Sequence, residues 1–193
     1  MNQNEITNLY ENQEELSDYT ESEHSETDET NTSIDENELT ELLEEISRAL
    51  TAITSKNKKN REYDNKFGEA FFVKIAPSIT IYDYLHRIQR YLNIEASTFI
   101  LSLIYIDRIC KENGIILHKK NIHKILFSSI FIATKYNEDK IYENSFYAKT
   151  AGISVKELIK LENVFLKLVD FNLFVSDDIY QKYSSYLFHV KKV

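Results

Sequence analysis

Glycine and proline are nearly absent from this chain, three and one among 193 residues, well below the usual share. Few tight turns or breaks can therefore interrupt it, and no stretch alternates apolar with polar residues for long. Both features argue against a sheet and for helices joined by short loops. A single cysteine, Cys110, excludes an internal disulfide framework and any multi-cysteine zinc site, and fits a reducing, intracellular compartment, nucleus or cytoplasm. No apolar run reaches the roughly 18 residues that span a bilayer, and the first residues are polar and acidic rather than basic then apolar, so neither a membrane anchor nor a secretion signal is expected. The glycines, Gly68, Gly114 and Gly152, stand too far apart to build a phosphate-cradling loop.

Basic residues are missing from one region altogether. Met1 to Ser47 holds 16 of the 31 acids and no Lys or Arg, so the net charge of −8 conceals a remainder with 15 acids against all 23 bases. The length suits one domain plus an extension. Residues 1–32 are poor in large apolar side chains and self-repelling, the composition of a disordered acidic tail. Ser22, Ser25 and Thr27 lie beside acids there, as modification sites or as part of a solvating extension.

A helical pattern begins at Ser33, which with Glu36 makes a capping box, and Leu39, Leu42, Leu43, Ile46 and Leu50 recur at helical spacing. This amphipathic helix over 33–53 needs a partner, either the downstream domain or another chain. Residues 54–76 have the composition of an exposed linker. A domain over 77–188 follows, with a short tail at 189–193. Thr80 and Asp83 open its first helix, which turns Ile81, Leu85, Ile88 and Leu92 inward. The second runs from Ala96 to about Lys111, with Phe99, Leu103, Ile106 and Cys110 facing in. Asn121 caps the third, which is almost wholly apolar and so should be central. Asn144 starts a short helix closed by Gly152, Ser154 and Glu157 form a further capping box, and Ser176 with Asp177 and Asp178 opens the last helix. The predicted fold is all-α: five main helices around a central apolar one, preceded by an N-terminal helix.

Chemistry is hard to place on these residues. His24, His86, His118, His123 and His189 form no ligand pair of the HExxH kind, and Cys110 sits at a core-facing position, so no catalytic residue, metal or cofactor is expected. Lys56, Lys58, Lys59 and Arg61, with Lys119, Lys120 and Lys124, meet the charge criterion for nucleic acid but bring no recognition helix or stacking platform. Nucleic acid is not the expected partner. Asp107 falls deep in an apolar helix, where a carboxylate needs a cation; Arg87, one helix earlier, is the expected partner in a structural ion pair. Lys135 and Glu162 each break an apolar helical pattern. By pattern alone they are either solvated charges or the centre of a protein-binding surface.

Four ordered motifs carry a resemblance that covers Pro77 to Leu187: ITIYDYLHRIQRYLNIEASTFILSLIYID from Ile79 to Asp107, KYNED from Lys135 to Asp139, YENSFYAKTAGI from Tyr142 to Ile153, and ELIKLENVFL from Glu157 to Leu166. They resemble the single-box cyclins of the phosphate-pathway group, including the plant P/U type. The helix from Ser33 resembles the one that precedes the box in that group. The resemblance implies a five-helix cyclin box that binds and activates a cyclin-dependent serine/threonine kinase and does no chemistry itself. It implies that Lys135 and Glu162 contact the kinase's mobile helix, with apolar contacts from Ile132, Leu166, Phe171 and Leu173. Where many cell-cycle cyclins carry M-R-A-I-L, this chain has Pro77-Ser78-Ile79-Thr80-Ile81, which argues against docking of R-x-L substrates through that patch. The rival readings are a cyclin-fold scaffold that activates no kinase, and a nucleic-acid-binding box of the transcription factor IIB kind.

Overall fold

The computed structural model describes residues 36–57 and 68–189. The expected cap at Ser33, the acidic tail, the centre of the linker and the last residues lie outside that range. Seven α-helices occur among the described residues: α1 (Glu36–Lys56), α2 (Ile81–Leu92), α3 (Ala96–Asn113), α4 (Ile122–Asn137), α5 (Asn144–Ala151), α6 (Val155–Leu168) and α7 (Asp177–His189), with a 3-10 turn at Gly68–Phe71. No described residue is in a strand.

The helix starts follow local chemistry where that chemistry suffices. The Asp83 N–H donates to Thr80 Oγ1 at 3.0 Å at the head of α2, and the Glu157 N–H donates to Ser154 Oγ at 3.2 Å at the head of α6. Each bond satisfies one of the donors a helix start leaves unpaired. Gly114 and Gly152 end α3 and α5 at φ 63° and 75°, the left-handed conformation that a helix C-terminus exploits. Two expected caps are built differently. The residue before α5 is Glu143, not Asn144, and it makes no side-chain cap. Asn121 precedes α4 but turns its side chain backwards, accepting from the His118 N–H at 2.7 Å and donating to the Ile116 carbonyl at 2.9 Å, so it ties the preceding loop instead.

The apolar stripe of α1 is covered by this same chain. Leu42, Leu43, Ile46, Leu50 and Ile53 are all buried, against α2 and α7. At roughly 1.5–3 kcal/mol for each buried aliphatic side chain, α1 is integral to the fold. It also runs to Lys56, into the stretch read as an exposed linker. Asn57 is buried and donates to the Leu117 carbonyl at 3.1 Å; on the far side, Phe71 is buried edge-on against Phe165, ring centroids 6.2 Å apart. The short apolar run over residues 70–73 shows neither a helical nor a strand period, which is why the burial of Phe71 escaped the pattern.

At the centre α4 is buried on every side from Ile125 to Thr134, surrounded by α3, α5, α6 and the 3-10 turn. Of the two serines that break its apolar run, Ser129 is absorbed locally, its Oγ donating to the Leu126 carbonyl at 2.8 Å. α3 lies beside it and is nearly as buried.

The ion pair expected between Arg87 and Asp107 is not formed. Arg87 faces α5 and donates to the Lys149 carbonyl at 3.2 Å. Asp107 faces α7: it meets Lys111 Nζ, one turn on in its own helix, at 2.8 Å, and accepts from the Tyr183 hydroxyl at 2.5 Å. The buried carboxylate does have a cation, but from i,i+4 spacing and a helix distant in sequence.

Candidate functional site

Exposure along α4 begins at Lys135, one residue after the buried Thr134. Its position in the last turn suits a cation near the negative helix end. The ammonium lies 2.6 Å from Glu162 Oε1, on α6, and 4.9 Å from the centroid of the Phe131 ring beneath it. The side chains are 38% and 15% exposed, so the pair stands at the rim of the bundle with Glu162 the more enclosed. The structure thus brings together the two charges that broke their helical patterns.

The other expected contacts divide. Leu166, one turn beyond Glu162, and Leu173 are half-buried, and Phe171 is exposed. Ile132 is 2% exposed, a correction to its expected role: α4 is still enclosed by its neighbours one turn before Lys135, so Ile132 supports the surface from within and cannot touch a partner there. Exposed Tyr136, Ile159 and Phe174 belong to the same region. Ile159 shares the α6 face of Glu162 and Leu166 at i, i+3, i+7 spacing.

The loop after α6 is held in an unusual shape. Asp170 and Phe171 have φ of 50° and 54° without being glycine, a conformation costing about 1–2 kcal/mol per residue. Local bonds hold it: the Phe171 N–H donates to the Leu166 carbonyl at 2.8 Å and the Asn172 N–H to the Val169 carbonyl at 2.9 Å. From α3, the Tyr105 hydroxyl donates to the Leu173 carbonyl at 2.8 Å, and Arg108 donates to the carbonyls of Asn172 and Phe174. Burial, with Tyr136 nearby and Arg108 opposing, pushes the Tyr105 phenol up to about 12, so it remains a donor. Two α3 side chains therefore fix the loop that shows Phe171 and Phe174 to solvent. Sequence reasoning missed both; the one available signal was the guanidinium of Arg108, two residues beyond the apolar run that ends at Ile106.

Glu138 of the KYNED motif works inside the fold. Its Oε1 accepts from the Glu95 N–H at 2.8 Å and from the Thr98 hydroxyl, capping α3 from the end of α4, since Glu95 makes no cap of its own. Glu138→Ala leaves those donors unpaired and should lower stability by about 1–3 kcal/mol, measured as a shift of the urea midpoint with unchanged slope.

No group of three or more His, Cys, Asp or Glu converges to hold a metal among the described residues, and no described helix is long and apolar enough to cross a membrane. His123 is structural: its Nε2–H donates to the Ile79 carbonyl at 3.0 Å, and burial lowers its pKa.

Residues 6–173 match the protein-family description "Cyclin". The chain belongs to the cyclin family. Among its relatives, Cyclin-U2-2 of Arabidopsis thaliana is 38% identical over 120 residues, 62% of this chain and 52% of that protein. Cyclin-U1-1 of the same plant is 38% identical over 125 residues, 64% and 58%. PHO85 cyclin-7 of Saccharomyces cerevisiae is 40% identical over 131 residues, 62% and 46%. This cyclin is of the P/U-type group, as the four motifs suggested, and spans about half the length of the curated relatives it matches.

Proposed function

We propose that this cyclin is a regulatory subunit that binds and activates a cyclin-dependent serine/threonine kinase, setting its activity and substrate choice, and is not itself an enzyme. The observation that carries the reading is the Lys135–Glu162 pair at the bundle rim, bordered by exposed Phe171, Phe174 and Tyr136 on a loop and helix end held from beneath. Apolar side chains supply contact area, and two opposite charges fix register and orientation against a partner. Leu166 and Leu173 complete the contact. A kinase helix held inward by this surface would place its glutamate against the catalytic lysine, completing the phosphate-binding site. A yeast relative is named a PHO85 cyclin, in keeping with a kinase partner of that class. The working compartment on this reading is intracellular, nucleus or cytoplasm.

The test is affinity purification of the endogenous protein, followed by phosphorylation assays of the recovered kinase with and without this chain. Co-purification of a cyclin-dependent kinase whose rate rises on adding the chain is the expected result. Stable binding with no stimulation would favour the scaffold reading, and no kinase at all would overturn both.

A further inference from the structure

A cleft of about 240 Å³ opens between α3 and α7, lined by Ile104, Asp107, Arg108 and Lys111 on one side and Ile179, Lys182 and Tyr183 on the other. Its charge is one-sided. The one carboxylate among the lining residues, Asp107, is already engaged by Lys111 and Tyr183, which leaves Arg108 and Lys182 as lining cations beyond that pair. Asp177 and Asp178, the nearest acids in sequence on α7, stand in the first turn, where the positive helix end accommodates them. Ile179, 44% exposed, supplies an apolar strip on the wall, and Ile104, 4% exposed, lies at the floor. Arg108 joins this cleft to the proposed kinase-docking surface, because the same guanidinium holds the carbonyls of Asn172 and Phe174. The α7 wall lies beyond residues 6–173, the part of the chain that matches the family description.

We propose that the α3–α7 cleft is a docking site for a short acidic segment of a kinase substrate, with an aliphatic side chain laid on Ile179 above the cleft floor at Ile104 and flanking carboxylates against Lys182 and Arg108. It rests on the kinase-activation reading and adds substrate selection to it. Charge complementarity decides the occupant. A cationic rim around an apolar strip admits an acidic–aliphatic segment and repels a basic one. The selectivity is thus opposite in sign to R-x-L docking, for which the Pro77–Ile81 segment lacks the usual residues.

Two arms test this separately from kinase activation. In the first, a fluorescein-labelled peptide Asp-Glu-Ile-Glu-Asp is titrated with the full chain and followed by anisotropy. Binding should weaken as salt rises and fall about tenfold in Lys182→Glu and in Ile179→Asp, the loss of one charge-assisted or well-buried contact. The lysine analogue Lys-Lys-Ile-Lys-Lys should not bind. In the second, the chain with its kinase acts on two substrates sharing one phosphoacceptor segment, only one of them extended by the acidic pentapeptide. The extension should lower KM with the wild type and not with Lys182→Glu, while the rate on the short substrate stays the same. A short substrate that shows no stimulation sinks the activation reading and leaves the anisotropy arm standing. Equal binding of the acidic and basic peptides, or full binding by both variants, overturns the cleft.

Discussion

Exchanging the two rim charges, Lys135→Glu together with Glu162→Lys, should leave the fold intact and reduce kinase stimulation by about a hundredfold or more. The two effects come from the same geometry. In the free chain the ammonium and carboxylate are 2.6 Å apart, and the exchanged pair can form the same bridge in reverse. A bridge at a solvated rim is worth about 0–1 kcal/mol in any case, so the melting temperature should move by no more than a few degrees. Against the kinase, both partners of the pair now meet groups of their own sign, and like-charge contacts across an interface cost several kcal/mol, which converts to a hundredfold or more in affinity. Glu162→Lys alone should lower stability more than the exchange does, since it sets two cations together with Glu162's position only 15% exposed. Affinity for the kinase and phosphorylation rate, measured beside thermal melts, separate the cases. Unchanged kinase binding by the exchanged variant would mean that the pair is only a surface bridge.

The features legible in the sequence are those whose cause is local. Thr80 with Asp83, and Ser154 ahead of Glu157, cap helices by bonds that span three residues, and Gly152 ends α5 because left-handed backbone suits it. The apolar run of α4 announced a helix with no solvent face. The central charges of the candidate site were legible only as exceptions to such patterns. What escaped was decided by elements meeting across the fold. Asp107 takes Lys111 and Tyr183 over Arg87 because α2 turns Arg87 toward α5. Glu138 stood in the KYNED motif with no role assigned to it, and it caps α3, a role visible only once the end of α4 is beside Glu95. The shape that exposes Phe171 uses two non-glycine residues at positive φ, held by Tyr105 and Arg108 from a helix more than 60 positions earlier. No short-range rule predicts such a loop.

The largest stability loss should come from Phe165→Ala. Phe165 is fully buried on α6, edge-on to Phe71 of the 3-10 turn. Truncating a buried Phe costs about 3–5 kcal/mol, a large part of the roughly 5–15 kcal/mol that holds a domain of this kind. The cost is structural in two directions, because Phe165 ties the segment before α2 to the helix whose outer face carries Glu162 and Leu166. The cavity would remove the edge-on ring contact to Phe71 and loosen α6 beneath the docking surface, so kinase affinity should fall together with the denaturation midpoint. Leu173→Ala provides the contrast: Leu173 is only half-buried and its carbonyl bond from Tyr105 survives the change, so affinity should fall while the midpoint barely moves. Urea melts and kinase titrations of the two variants give opposite patterns if α6 is both a core helix and the platform of the site. A Phe165→Ala protein that melts like wild type would show that the 3-10 turn and α6 are not packed as described.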